Sequence, residues 1–388
     1  MKKKKNLKLE QLPDRIVPAG LILDWAPAGT GVWNLAGNWI NEATGVAPAN
    51  PPTAFDDVKF KNTSAAACSV PTGVSVDCAS ITSTTWTGTL TINGTLSVDN
   101  SGWWLGTTFN SGKIVSGNNN AILNVNGGVF IYGATGLNDT VGASQLNVYI
   151  NHNAIMILNG SITACGAILD TGTTATTPHV DSPGTLEVNN VSSVDFSLHS
   201  GSIFCSSIGI VDIDDSHLTN VNGVTVTGSS GLIMLTTAEV DMASGCTFLV
   251  HSGAALSEES TTGNGSTIDG NVSITNGAEL TMGLSGSNYS TLTIYGNLTI
   301  TDSTVSEDVN TQTANQCDYI FASTITLSNA DVSVHSDSNM PTTGYHDYNL
   351  MKSSVSSFSG MFSAYTWDNY TWTASYTASQ TFDVEGTV

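Results

Sequence analysis

Thr291-Leu292-Thr293-Ile294-Tyr295-Gly296-Asn297-Leu298-Thr299-Ile300 is the stretch that decides the fold. Apolar residues take alternate positions, which buries one side of an extended chain and leaves the other wet. The same grammar recurs in Thr89-Leu-Thr-Ile-Asn-Gly94, Ile122-Leu-Asn-Val-Asn-Gly127, Gln145-Leu-Asn-Val-Tyr-Ile150 and Thr185-Leu-Glu-Val-Asn189. It continues through Gly223-Val-Thr-Val-Thr-Gly228, Asn271-Val-Ser-Ile-Thr-Asn-Gly277 and Thr324-Ile-Thr-Leu-Ser328. Gly and Asn close the segments, and both tolerate the positive φ of a tight corner. Equivalent segments recur at roughly the low twenties of residues, a spacing that suits one coil of a solenoid. The expected fold is therefore all-β, a single-stranded right-handed parallel β-helix in which each coil buries its face on the next. An antiparallel sandwich is the competing architecture, but hairpin signals do not pair these segments.

Composition agrees with strands and turns. Glu, Lys and Arg supply only 19 of 388 residues, so the usual surface helix formers are scarce. Six of the ten cations lie before Ile16; the remainder of the chain holds Lys59, Lys61, Lys113 and Lys352 against 30 acids, a net −26. Such a surface repels nucleic acid, anionic lipid and acidic polysaccharide. It also lacks the cations that phosphate and oxyanion chemistry commonly uses. No apolar run is long enough to form a membrane-spanning helix.

An open solenoid end is a row of unpaired strand edges and must be covered. Trp25, Trp33, Trp39, Trp86, Trp103 and Trp104 fall in the first part of the chain and Trp367 and Trp372 near its end. We read them as aromatic plugs of the terminal coils, with a sugar-stacking platform as the other reading. The organisation this implies is a basic leader at 1–20, a cap and first coil at 21–62, coils at 63–344, and closing coils with a cap at 345–388.

Both ends carry a resemblance. Trp33-Asn-Leu-Ala-Gly-Asn-Trp39, Pro48, Pro51-Pro52 and Asp56-Asp-Val-Lys-Phe60 resemble the opening of autotransporter-type β-helix passengers. Tyr345-His-Asp-Tyr-Asn-Leu350, Phe358-Ser-Gly-Met-Phe362, Tyr370-Thr-Trp372, Tyr376 and Phe382-Asp-Val384 are similar to the closing coils of that group. Leu9-Glu10-Gln-Leu-Pro-Asp14-Arg15-Ile-Val-Pro18-Ala19 resembles the "LExLEDRxxPA" segment of planctomycete surface and secreted proteins, with Pro13 where that family has Glu. The resemblances imply an exported protein, extracellular or at the cell surface.

Candidate chemistry is sparse. Cys68 and Cys78 flank a short loop, the spacing of a local disulfide in an oxidising compartment. Cys165, Cys205 and Cys246 are nearly evenly spaced and are expected to stack in one inner column two coils apart. The densest acidic group is Asp212-Ile-Asp214-Asp215-Ser-His217. On a strand Asp212 and Asp214 share a face, and Asp215 turns the corner with His217 close by. Paired carboxylates can cleave a glycosidic bond, so these four residues define the alternative reading of a polysaccharide-active hydrolase or lyase. Against it, the Gly-His-Gly turn and Arg-x-Lys pair of galacturonan hydrolases are missing, and no arginine follows Arg15 to serve a pectate lyase. Asp212, Asp214 and Asp215, and also Asp56 and Asp57, are the Ca²⁺ candidates; no organic cofactor is expected. The expectation is a non-catalytic protein with a structural, adhesive or assembly role. Its partners would be a neutral glycan, another surface protein or a further copy of itself, and not nucleic acid.

Overall fold

In the computed structural model the deciding stretch is one strand, Thr291–Thr301, with Leu292, Ile294, Leu298 and Ile300 fully buried. The structure describes residues 20–61, 64–99, 210–260, 265–283, 289–309, 317–336, 345–354, 358–367, 371–377 and 381–387; between 100 and 209 it describes strands alone. The leader motif at 9–19 lies outside the described residues.

The first half of Thr291–Thr301 pairs in parallel with Ser266–Asp269 and the second half with Asn271–Thr275. Both halves pair onward with Tyr319–Ser328, and the register slips between Ile294 and Asn297. Gly296 occupies that slip. A Cβ there would stand 2.2 Å from the carbonyl oxygen of Gly270, so the close approach of two backbones requires glycine.

Working outward, each coil contributes three strands. Leu232–Thr236, Glu239–Met242 and Thr247–His251 make one coil, and Ala255–Glu258 begins the next. The first face is a 15-stranded sheet, parallel throughout except where Trp39–Asn41 pairs antiparallel with Ile22–Trp25. Ile210 lies opposite Leu232 and Asp331 opposite Ala364, so from Ile210 onward the coils lengthen toward the C-terminal end, whereas Ile155 opposite Thr185 marks a longer coil before them. On this face the paired strands run without a register shift from Ile210–Asp214 to Ala364–Trp367, so the extra residues lie between strands. The fold is thus a parallel β-solenoid, with no α-helix among the described residues and a single 3-10 turn at Ala36–Asn38.

Corners repeat as faithfully as strands. Ser252, Asn276, Asp302 and Asn329 hold φ of 60°, 56°, 50° and 50° in successive coils. Short polar side chains tolerate this left-handed region better than branched ones. The amide of Asn329 donates to Asp302 Oδ1 at 2.6 Å, tying one corner to the next.

Inside, side chains stack in columns. Val211, Ile233, Leu256, Leu280, Val305 and Val332 form one under the first face. Each such aliphatic gains ~1.5–3 kcal/mol by leaving water. The adjacent column runs Ile213, Leu235, Glu258, Met282, then Glu307 and Val334, so two carboxylates replace aliphatic groups. Glu258 is satisfied by Ser260 and Ser266, whose backbone N–H and hydroxyl groups all donate to it.

Aromatic rings fill the first coils. Trp25, Trp33, Trp39 and Trp86 are completely buried, which makes them core and not a sugar platform. Trp25 and Trp33 meet Trp39 edge-on at 4.9 and 5.1 Å, and Phe60 bridges to Trp86 at 4.4 Å. Trp103, Trp104, Trp367 and Trp372 fall where side chains are not described. At the other end, Tyr345–Ser353 pairs antiparallel with Thr381–Thr387, which pairs antiparallel with Thr371–Thr377. Phe362 and Phe382 pack there with centroids 4.8 Å apart.

The cysteines depart from expectation. Cys68 and Cys78 are free buried thiols on strands of two different sheets, so the local bridge is not formed; burial pushes both thiols well above their ordinary pKa. Cys205 aligns with Val226 and Val250, while Cys246 sits in the turn before Thr247–His251 with its Sγ 3.5 Å from Asn222 Oδ1. Unequal coil lengths break the expected stack. Cys165 lies outside the described residues.

Candidate functional site

Asp212 and Asp214 project outward from Ile210–Asp214 on the first face, on either side of buried Ile213. Asp215 turns the corner with φ 44° and donates its N–H to Thr236 O at 2.9 Å. Partial burial, and then the neighbouring Asp215 charge, raise the Asp214 carboxyl above its ordinary pKa. Ser216 is buried and its hydroxyl donates back to Asp214 O at 2.7 Å. The chain then enters His217–Val221 on the second face.

His217 faces the coil that follows. It lies opposite Glu239 in the parallel register, with Nδ1 3.7 Å from Glu239 Oε2 and Nε2 2.9 Å from Asp241 Oδ2. Glu239 and Asp241 flank buried Val240 on Glu239–Met242, so both point outward. One ligand atom from each of His217, Glu239 and Asp241 lies within 4.8 Å of the others. Local reading of 212–217 groups His217 with three aspartates and misses Glu239 and Asp241. The signal that could have found them is the coil period, since one full turn of the solenoid carries His217 onto Glu239.

Of the other Ca²⁺ candidates, Asp56 takes Leu21 N at 2.7 Å and the Thr53 N–H and hydroxyl at 2.9 and 2.8 Å. Asp57 accepts the Ser80 hydroxyl. Both knit the first coils together.

The third face is different in character. Its outward positions form columns: Thr247, Asn271, Asn297, Thr324; then Ser273, Thr299, Thr326, Ser359; then Thr275, Thr301, Ser328. Asn297 N donates to Asn271 Oδ1 at 3.0 Å, the Thr324 hydroxyl to Asn297 Oδ1, and the Ser359 hydroxyl to Thr326 Oγ1 at 3.2 Å. His251 precedes Thr275 in the third column; from Thr275 onward the columns hold no ionisable group. Neighbouring rungs of a sheet lie ~4.8 Å apart, so the face offers hydroxyls and amides at a regular repeat.

The fold defines a parallel β-solenoid. No family model matches the chain, and no curated protein matches it. Among solved structures it is similar to the crystal structure of the Haemophilus influenzae Hap adhesin, at 13% identity and a TM-score of 0.34. The match covers 93% of this chain and 42% of that one, so the chain spans less than half the length of that protein.

Proposed function

We propose that the protein is an exported, non-catalytic β-solenoid of the cell surface or extracellular matrix, with a structural, adhesive or assembly role. The observation that carries this reading is the third face: three outward columns of Ser, Thr and Asn without a charge, on a chain of net charge −22. A neutral strip is the part of such a molecule that approaches an uncharged surface without electrostatic cost. Its partner is a neutral glycan or another copy of a similar face. Co-sedimentation of the purified chain with an insoluble neutral glucan tests it. Binding should weaken when Thr299 and Thr326 are changed to Lys and should persist in Asp214→Ala. Release of new reducing ends from the glucan, abolished by Asp214→Ala, would replace this reading with the hydrolase.

A further inference from the structure

We infer that His217, Glu239 and Asp241 form a binding site for a divalent transition-metal ion, of the zinc class, that ties two successive coils together. This goes beyond the proposed contact role, which does not require it. The three groups come from two strands of the second face, one coil apart, and their ligand atoms already lie within 4.8 Å of one another. Two tetrahedral ligands at ~2.1 Å from a zinc ion stand roughly 3.4 Å apart. His217 now spans the two carboxylates through opposite ring nitrogens, Nδ1 3.7 Å from Glu239 and Nε2 2.9 Å from Asp241, whereas a shared ion takes one nitrogen and one oxygen from each carboxylate, a set that lies within 4.8 Å. Closing from 4.8 Å to that spacing takes rotation of the three partly exposed side chains about their own torsions, so that one ring nitrogen faces both carboxylates.

Donor chemistry selects the ion. Calcium is bound through oxygen ligands and has little use for an imidazole. A thiophilic ion such as Cu(I) prefers thiolates, and the site holds none. One imidazole with two carboxylates suits Zn²⁺, Co²⁺ or Ni²⁺. The side chains are 32%, 54% and 35% exposed, so the remaining coordination positions open to solvent. Three protein ligands with an open position is the arrangement that takes water or an outside donor. The surroundings favour a cation: Asp269 continues the column beyond Asp241, and Asp215 stands two residues before His217. The same ion would hold His217–Val221 and Glu239–Met242 together at the point where their register shifts, between Leu218 and Val221.

The test is calorimetric titration of the chelator-treated full chain with ZnCl₂, alongside cobalt absorption spectra. One saturable site per chain is expected, together with a rise in melting temperature in excess Zn²⁺, because an ion that binds only the folded form stabilises it. His217→Gln and Asp241→Asn should each weaken Zn²⁺ by ~10-fold or more, since losing a direct ligand costs at least what losing a ligand's support does. His251→Gln, on the third face, should leave it unchanged. Equimolar Ca²⁺ should not displace Zn²⁺. The inference is overturned if no saturable site appears, if both ligand variants bind like the parent chain, or if Ca²⁺ competes on equal terms. Both variants sit on the solvent side, so retained far-ultraviolet circular dichroism separates loss of the site from loss of the fold. Glucan co-sedimentation by His217→Gln reads the contact role separately.

Discussion

Glu307 occupies a place in an aliphatic column, is fully buried, and both of its carboxyl oxygens lack a hydrogen-bond partner among the described residues. Burial, then the nearby Asp318 and Asp308 charges, push it well above the ordinary carboxyl range. Asp318 accepts the N–H groups of Ser290 and Asp308 at 2.8 and 2.7 Å, yet burial outweighs them and lifts it to about 7. Both groups are therefore favoured in their neutral form by folding, so the folded chain binds more protons than the unfolded one once pH passes ~4. Their contribution to stability is complete below about pH 4 and falls as pH rises toward the folded values. For Asp318 the decline ends near its folded value, and its total is on the order of a few kcal/mol. Urea midpoints taken from pH 4 to pH 8 should fall steadily. Glu307→Leu, which restores the aliphatic pattern of Leu235 and Val334, should flatten that slope and raise the midpoint at pH 8. An unchanged slope in both Glu307→Leu and Asp318→Asn would show that these carboxyls do not set it.

At the scale of elements, strands were legible and their grouping was less so. Alternation in Thr291–Thr301, Asn271–Thr275 and Val224–Thr227 marks inward and outward residues directly, because the period of two is a local property of extended chain. Contacts between coils depend on a period that varies from coil to coil, so two coils on from Cys205 stands Val250 and not Cys246. For the same reason the partners of His217 stayed hidden, although its own strand was evident. Buried Glu258 and Glu307 escape sequence reading as well: the period of two places them inward with Leu256 and Val305, but the cost of burying a carboxyl argues for the surface. The aromatic end was readable because large rings concentrate where a coil has no predecessor to stack on. Trp39 touches Trp25, Trp33 and Phe60 and donates its indole N–H to Trp33 O at 2.7 Å. Trp39→Ala should cost ~3–5 kcal/mol, measured as a drop in the urea midpoint at constant slope. The far end is closed by the Thr371–Thr377 and Thr381–Thr387 pair. Deleting both strands leaves the edge of Tyr345–Ser353 unpaired. Sedimentation velocity at low salt should then show oligomers whose size grows with concentration more steeply than that of the full chain.

For the whole molecule, charge and shape act together. The described cations of the first coils are already neutralised: Lys59 pairs with Glu42 at 2.7 Å, and Lys61 with Asp24 at 2.8 Å and Glu42 at 3.2 Å. These exposed pairs contribute little to stability, but they leave acids as the prevailing charge of the body outside the neutral third face. Self-repulsion of that exterior is screened by salt, with a Debye length of about 8 Å at physiological ionic strength. Association through the third face should therefore strengthen between low and physiological salt. Light scattering across that range checks it, and weakening on addition of salt would point to a charged contact instead.

The stacking of one coil only on its immediate neighbours also determines how the rod responds to being pulled. Tension applied to its two ends must peel the terminal coil before the next one bears the load, so rupture proceeds coil by coil and not as one collapse. Leu232 lies opposite Ala255, which sets the length of chain that one such event releases. Single-molecule stretching should accordingly give a sawtooth with steps of roughly 80 Å, taking ~3.3–3.6 Å per extended residue. From Leu232 onward the steps should widen toward the C-terminal coils, where each turn holds more chain.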